Sequence, residues 1–251
     1  MSGGVTGRLL QAIEANERAV VFTVIEGEAL GAKALVLEGG EAIGDAVPRE
    51  ALDQADELIR AARNRLLELE SGRVFAEVYG PPPRLVIIGA VDTADALCQA
   101  ANLLGWETIV ADARAKFATR ERMPHADHVI VDWPEEALAQ VAPDHATAVL
   151  VLTHDAKFDI PALKAALATE AFFVGALGSR RNQERRREKL LAEGVDEAEL
   201  DRISGPCGLD IGADSQPETA LSILAEIVAL RAGRSGGRLR ESKHRIHAEA
   251  V

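Results

Sequence analysis

Residues 85–97 have the sequence LVIIGAVDTADAL, an apolar run rich in β-branched residues that ends in a glycine and leads into a helical pattern. Apolar runs of this kind recur along the chain, each before a turn and a helical stretch, at residues 85–89, 108–111, 128–131, 148–152 and 172–175. Short strands that alternate with helices need right-handed crossovers, which align the strands in parallel. We therefore predict a Rossmann-like parallel α/β domain over residues 84–232.

The chain before this domain follows a different plan. Its apolar pattern predicts two helices and two strands, over residues 5–16, 52–69, 19–27 and 32–38. The second helix is predicted to end before Gly72. Residues 80–83 (GPPP) cannot continue a helix or donate to a sheet, because proline lacks a backbone N–H. We place the boundary there, which gives a small α+β domain over residues 1–80, and we predict a flexible tail over the glycine-rich and charged residues 233–251.

Composition restricts the class of protein. Hydrophobic residues make up 47% of the chain and charged residues 27%, as in folded soluble domains. A net charge of -12 is unsuited to nucleic acid, whose phosphates attract a basic face. No stretch approaches the roughly 18 to 20 apolar residues of a membrane span, and the N-terminus lacks the apolar region of a signal peptide. We expect a cytoplasmic protein that binds neither nucleic acid nor membranes.

The first predicted strand of the second domain, over residues 85–89, ends at the position of a dinucleotide-binding fingerprint. Gly89 and Ala90 begin the turn, but Val91 replaces the second glycine of G-x-G-x-x-G and would block close approach of a pyrophosphate. Asp112 ends the second strand, where an acidic residue would bond a ribose hydroxyl. Two interpretations stay open at this turn: NAD(P) binding, or a retained fold with altered or lost cofactor binding.

The fourth predicted strand of the second domain, over residues 148–152, is followed by Thr153, His154 and Asp155. A histidine and a carboxylate at a strand's carboxyl end are candidates for acid–base catalysis or for orienting a ligand. The alternative is that Asp155 caps the next helix while His154 is a half-buried polar residue.

The fifth predicted strand leads into Gly178, Ser179, Arg180 and Arg181 at the start of a helix. Glycine exposes backbone N–H groups, Ser179 can cap the helix, and the two arginines add positive charge, so this turn predicts an anion-binding cradle. The basic residues further along the helix are explained by an ordinary solvated surface.

Residues 204–213 form a glycine-rich loop before the last predicted helix. We expect Gly208 and Asp210 to approach a ligand, although a plain connecting loop also explains the glycines. Cys207 is a candidate thiolate ligand or sulfur carrier. Cys98 lies within an apolar helix and belongs to the core, and neither cysteine has metal-ligand spacing, so no metal site is predicted.

The loops of the second domain, taken in order, resemble the XdhC/CoxI family of xanthine dehydrogenase accessory factors. The similar stretches are LVIIGAVDTADAL (85–97), VLTHDAKFD (151–159), FFVGALGSRRNQERR (172–186) and GPCGLDIGADSQPETALSILAEIVALR (205–231). The resemblance implies a protein that binds molybdenum cofactor and helps to sulfurate it and insert it into a molybdenum hydroxylase. It also implies two protein partners, the apo-hydroxylase and a cysteine desulfurase, and a binding role rather than catalysis.

The first domain departs from the family pattern. Residues 31–33 (GAK) match a family segment, but residues 44–48 (GDAVP) stand where the family has a cysteine-containing glycine loop. In the second domain, Asp92 stands after the glycine of the first strand, where members commonly carry a histidine. We therefore expect a divergent member of the family. Small α/β proteins of this kind often pair through an edge or a helix face, so we also expect a homodimer. An NAD(P)-dependent oxidoreductase and a degenerate nucleotide-binding scaffold protein stay open as alternative functions.

Overall fold

The computed structural model describes residues 4–153 and 155–243. The chain divides into two compact units. The first combines the residues up to Pro81 with the segment that begins at Gly237, and the second is Pro82–Gly236. The division lies within the GPPP run of residues 80–83. Among the described residues, no helix is long and apolar enough to cross a membrane.

The first unit is a five-stranded antiparallel sheet in the order β3-β2-β1-β5-β4. Its elements are α1 Val5–Glu14, β1 Ala19–Gly27, β2 Lys33–Leu37, β3 Ala42–Gly44, α2 Arg49–Leu52, α3 Ala55–Ala61, β4 Arg65–Leu69 and β5 Gly72–Tyr79. One face of the sheet packs on α3 through Phe22, Leu58 and Ile59, which are fully buried. The other face buries Val21 and Leu35 beneath α1.

The prediction of a helix over residues 52–69 is wrong, because only the first half of this segment is helical. Helix α3 ends at Ala61, and Ala62 adopts a left-handed backbone with φ of 49°. The rest of the segment is strand β4, which forms a hairpin with β5. Gly72 begins β5 instead of ending a helix: its φ is +129°, and a Cβ there would lie 2.1 Å from the carbonyl oxygen of Glu26. Leucine-rich runs fit helical and strand spacing equally well over so few residues.

The second unit confirms the predicted Rossmann-type α/β fold. Its elements are β6 Arg84–Ile88, α4 Asp92–Asn102, β7 Glu107–Ala111, β8 His128–Ile130, α5 Pro134–Val141, β9 Thr147–Val151, α6 Ala156–Leu167, β10 Phe173–Ala176, α7 Arg180–Ala192, α8 Glu197–Leu200, β11 Ile203–Ser204 and α9 Gln216–Arg231. All neighbouring strands are parallel, in the order β11-β10-β9-β6-β7-β8. The two-residue strand β11 is too short to leave a pattern in the sequence.

Both faces of the parallel sheet are covered, which explains its almost uniformly apolar strands. All five residues of β9 are buried. Helices α4 and α9 pack on one face and α5, α6 and α7 on the other. Because the strands are all parallel, their carboxyl ends lie at one edge of the sheet. Since the two faces are covered by helices, the loops after these ends are the part of this unit that is free to bind a ligand.

Candidate ligand site at the carboxyl ends of the parallel strands

The strand order reverses between β6 and β9. From β6 the chain proceeds outward through β7 and β8, and then returns to the other side for β9, β10 and β11. Loops that leave adjacent strands in opposite directions open a crevice at their carboxyl ends, where open α/β sheets bind ligands. The turns after β6, β9 and β10 border this crevice.

The turn after β6 is closed by its own hydrogen bonds. The Ala90 N–H donates to Asp112 Oδ2 at 3.0 Å, and the Val91 N–H donates to the Gly89 carbonyl at 3.0 Å. Gly89 has a φ of +115°, and a Cβ there would lie 2.8 Å from Thr153 Cγ2. The glycine thus serves close packing of the β6 and β9 ends, and the first N–H groups of the turn already have acceptors within the protein.

Asp112, the predicted ribose-binding residue, is buried and fully engaged. Its Oδ1 accepts from the Arg114 backbone N–H at 2.9 Å and from Arg114 Nε at 2.8 Å, while Oδ2 accepts from Arg114 Nη2 at 2.7 Å. Burial alone would raise the pKa of Asp112, but the hydrogen bonds from Arg114 and Ala90 outweigh it and hold the pKa below its usual value. Both carboxylate oxygens are therefore occupied without a ligand.

The turn after β9 supplies a helix cap and a buried hydroxyl. Asp155 Oδ1 accepts from the Lys157 N–H at 2.9 Å and so caps α6. Thr153 is buried, and its hydroxyl donates to Asp159 Oδ1. His154 lies outside the described residues.

A buried ion pair joins α6 to α7. Arg186 donates from Nε to Asp159 Oδ2 at 2.8 Å, from Nη1 to the Leu177 carbonyl at 2.7 Å and from Nη2 to the Thr153 carbonyl at 3.2 Å. The interpretation of all later basic residues of this helix as solvated is therefore wrong for Arg186. One arginine ties the turns after β9 and β10 together.

The turn after β10 has the predicted cap but places its arginines in solvent. Gly178 has a φ of +136°, and Ser179 Oγ accepts from the Asn182 N–H at 3.3 Å. Arg180 and Arg181 are exposed in the first turn of α7, and neither forms an ion pair with a carboxylate of the described residues. These two side chains are available to an anion but are not enclosed.

A cavity of about 170 Å³ lies between α6 and α7, and we call it the α6/α7 cavity. Its lining residues are Ala156, Asp159, Asn182, Arg185, Arg186 and Lys189. The charge of Asp159 is balanced by Arg186, whereas Arg185 and Lys189 have no ion-pair partner among residues 4–153 and 155–243. The cavity therefore has an uncompensated positive charge, although the whole chain carries -12. From the sequence, Arg185 and Lys189 were expected only to face solvent.

The glycine loop after β11 is held by one carboxylate of α9. Glu226 accepts from the Ser204 hydroxyl and from the Gly208 N–H, at 2.5 Å each. Gly208 has a φ of +116°, and a Cβ there would meet Ser222 Oγ at 2.5 Å. Asp210, in contrast, is exposed. Gly208 is thus needed for the packing of the loop on α9, and Asp210 is the part of the loop that faces solvent.

Cys207 belongs to this loop, and its side chain is buried as a neutral thiol. Burial, assisted by the charge of Glu226, raises the pKa of Cys207 to about 12. Burial likewise raises the pKa of Cys98 to about 12. A thiol with such a pKa is protonated at neutral pH, and the thiolate is the form that attacks sulfur or binds metal. Among the described residues, no group of three or more His, Cys, Asp or Glu is arranged to hold a metal ion.

Comparison with known proteins identifies the second unit. The family model described as the XdhC Rossmann domain matches residues 85–227. The chain is 30% identical to a probable xanthine dehydrogenase subunit from Bacillus subtilis over 162 residues, which is 64% of this chain and 47% of that protein. It is 34% identical to "Molybdenum cofactor insertion chaperone PaoD" of Escherichia coli over 120 residues, which is 48% of this chain and 37% of that protein.

A solved structure extends the similarity to both units. The crystal structure of a xanthine dehydrogenase from Bacillus halodurans matches with a TM-score of 0.68 and 27% identity, over 90% of this chain and 66% of that chain. The chain spans less than half the length of the curated relatives it matches. The resemblance noted in the sequence is confirmed, since the family model covers more than half of the chain. This chain belongs to the family defined by the XdhC Rossmann domain.

Proposed function

We propose that this protein is an accessory factor for a molybdenum hydroxylase of the xanthine dehydrogenase type, and that it binds molybdenum cofactor as cargo for insertion. The names of its relatives, a cofactor insertion chaperone and a xanthine dehydrogenase subunit, support this role. The observation that carries the proposal is the uncompensated positive charge of the α6/α7 cavity.

The chemistry of the cavity suits the phosphate group of the cofactor. Arg185 and Lys189 offer N–H donors to a dianion, and hydrogen bonds between charged groups are about twice as strong as neutral ones. Arg186 already donates to Asp159 and to two carbonyls, so it shapes the wall and keeps the cavity in place. Arg180 and Arg181 add positive charge in the first turn of α7, where an anion would arrive.

The closed turn after β6 argues against the alternative of an NAD(P)-dependent oxidoreductase. A pyrophosphate needs free N–H groups there, and a ribose needs a free carboxylate. The Ala90 N–H and Asp112 satisfy one another, and Arg114 occupies the remaining positions on that carboxylate.

The burial and the pKa of the two cysteines decide which protein we propose as the sulfur donor. The chain has two cysteines, both buried and both with a pKa of about 12. Neither is suited to carry sulfur as a thiolate at neutral pH. We therefore assign the sulfur donor to a partner, a cysteine desulfurase, while this chain holds the cofactor for that partner and for the apo-hydroxylase.

Calorimetric titration of the purified protein tests the proposal, with molybdenum cofactor, NAD⁺ and NADP⁺ as ligands and oxygen excluded. We expect binding of molybdenum cofactor, weakened at least roughly tenfold in the double variant Arg185→Ala/Lys189→Ala, because a hydrogen bond to a charged group contributes about 1.5–3 kcal/mol. Lys164→Ala is the matched control: this lysine lies on α6, already pairs with Glu193 at 3.4 Å, and should leave affinity unchanged. Tight binding of NAD⁺ or NADP⁺ without binding of the cofactor would overturn the proposal.

A further inference from the structure

A second surface at the same edge of the sheet combines aromatic rings with cations. It consists of Phe117 after β7, Trp133 directly before α5, and Phe158 in the first turn of α6, together with Arg114 and Lys157; we call it the aromatic–cation cluster. The chain has only two tryptophans and six phenylalanines, so this concentration of rings at one edge is unusual.

The contacts within the cluster place cations over ring faces. Trp133 and Phe158 have ring centroids 5.3 Å apart at a tilt of 34°. Lys157 Nζ lies 4.9 Å from the Trp133 centroid, and the Arg114 guanidinium carbon lies 4.4 Å from that of Phe117. Lys157 has no carboxylate partner among the described residues, and its ammonium group contacts ring faces instead. A ring face that attracts cations also accepts another aromatic ring in offset stacking.

The two tryptophans of the chain differ in burial. Trp106 is 6% exposed and packs against Phe172 at the opposite end of the core. Trp133 is 43% exposed. Burial therefore explains Trp106, whereas Trp133 is only partly covered by its neighbours.

The aromatic–cation cluster and the α6/α7 cavity share one helical turn. Ala156 and Asp159 line the cavity, while Lys157 and Phe158, the two residues between them, belong to the cluster. Consecutive helical residues are rotated by about 100°, so Lys157 and Phe158 lie on a different side of the first turn of α6 from Ala156 and Asp159. Both surfaces border the N-terminal end of this helix, and a ligand with a flat ring and an anionic group would contact both by crossing that end.

We propose that the aromatic–cation cluster binds the flat heteroaromatic ring of the same ligand whose phosphate occupies the α6/α7 cavity. This inference rests on the proposed function and deepens it, because it assigns the ligand class: a phosphorylated pterin or a nucleotide, whose ring stacks on Trp133. Stacking of a base on an aromatic side chain contributes about 1–3 kcal/mol, which corresponds to roughly a 5- to 150-fold change in affinity.

The test compares three probes by calorimetry: inorganic phosphate, neopterin monophosphate and guanosine monophosphate. We expect a ring-bearing probe to bind at least roughly fivefold more tightly than phosphate, and the ring-bearing probe with the higher affinity identifies the preferred ring. Trp133→Leu should remove this advantage and leave phosphate affinity unchanged. Trp133→Phe, which keeps a ring, should retain most of the advantage, and Arg185→Ala/Lys189→Ala should weaken all three probes.

The outcomes separate this inference from the proposed function. Equal affinity for all three probes, or a ring advantage that survives in Trp133→Leu, overturns the inference while binding of molybdenum cofactor can still hold. A loss of phosphate binding in Trp133→Leu equal to the loss of ring binding also overturns it, because the tryptophan would then act only through the fold. Failure of the wild-type protein to bind molybdenum cofactor overturns the proposed function itself. Unfolding midpoints of all variants, measured by circular dichroism, identify any variant that has lost its fold.

Discussion

The turn after β6 and the start of α7 border the same crevice but use their polar groups in opposite ways. At the turn after β6, the Ala90 N–H and the Asp112 carboxylate are bonded to each other and to Arg114. In the α6/α7 cavity, Arg185 and Lys189 have no ion-pair partner among the described residues. The position where Rossmann-type sheets commonly hold a nucleotide is thus closed by the protein, and the free charge lies two strands away.

The same contrast recurs between adjacent residues of α7. Arg186 is buried, with its guanidinium bonded to Asp159 and two carbonyls, whereas Arg185 lines the cavity and is exposed. Consecutive helical residues are rotated by about 100°, so neighbours of one chemical type can serve the fold and the ligand separately. Paired groups should therefore control stability, and unpaired groups should control binding.

The largest effect is expected from Arg186→Ala. This change leaves the Asp159 carboxylate buried beside the Thr153 hydroxyl without its cation, and breaking a buried ion pair costs about 3–5 kcal/mol. The free energy of unfolding, measured by urea denaturation, should fall by that amount.

Arg187→Ala is the matched control for this loss. Arg187 pairs with Asp201 at 2.9 Å, but both side chains are exposed, and such surface pairs contribute about 0–1 kcal/mol. The double variant Asp159→Leu/Arg186→Met, which removes both charges, should recover the part of the loss caused by the unpaired carboxylate, but not the hydrogen bonds to the Leu177 and Thr153 carbonyls. Equal losses in Arg186→Ala and Arg187→Ala would contradict the distinction between buried and exposed arginines.

The sequence predicted five of the six parallel strands, because the inner strands β6, β7, β9 and β10 are almost entirely buried and therefore apolar along their length. The five runs from 85–89 to 172–175 differ from the observed strands by about one residue at each end. The segment 52–69 was not predicted correctly, because the strand character of β4 depends on pairing with β5 and not on its own leucines. Secondary structure set by a partner strand leaves a weak local signal.

The candidate site was less accessible to sequence reasoning. The glycines and Ser179 of the turn after β10 were visible as a helix start, since capping is a local property. The α6/α7 cavity depends on which basic residues of α7 find an acid on α6, and Arg185, Arg186 and Arg187 are indistinguishable in the sequence. The rings of Phe117, Trp133 and Phe158 come together only through the packing of three connections after three different strands.

A smaller loss, of about 2 kcal/mol, is expected from Asp112→Asn at neutral pH. The amide can accept at one oxygen only and removes the charge that Arg114 bonds, and hydrogen bonds to charged groups contribute about 1.5–3 kcal/mol. Because the pKa of Asp112 in the folded protein lies below its usual value, its stabilising effect is present above the unfolded pKa of about 3.9 and is lost as pH falls through the folded pKa.

Urea denaturation at several pH values measures this effect. The difference in free energy of unfolding between wild type and Asp112→Asn should be largest near neutral pH and should shrink as pH falls below about 4. A difference that stays constant down to acidic pH would show that the turn after β6 does not depend on the ionised carboxylate. Tighter binding of NAD⁺ by the variant would contradict the argument against NAD(P) more directly, because it would mean that Asp112 and Arg114 had kept a functional nucleotide turn closed.

The smallest effect has the opposite sign. Arg181, Arg185 and Lys189 follow one another at i, i+4 spacing along α7, and like charges at this spacing destabilise a helix by about 0.2–0.5 kcal/mol per pair. Arg185→Gln should therefore raise the free energy of unfolding by a few tenths of a kcal/mol, a gain that disappears in high salt, while it weakens phosphate binding. Arg187→Gln, which loses its pair with Asp201, should show no such gain. Destabilisation by Arg185→Gln would give this arginine a structural role. Greater stability together with weaker binding would indicate a charge that serves the ligand at a cost to the helix, because a bound anion reduces the repulsion along α7.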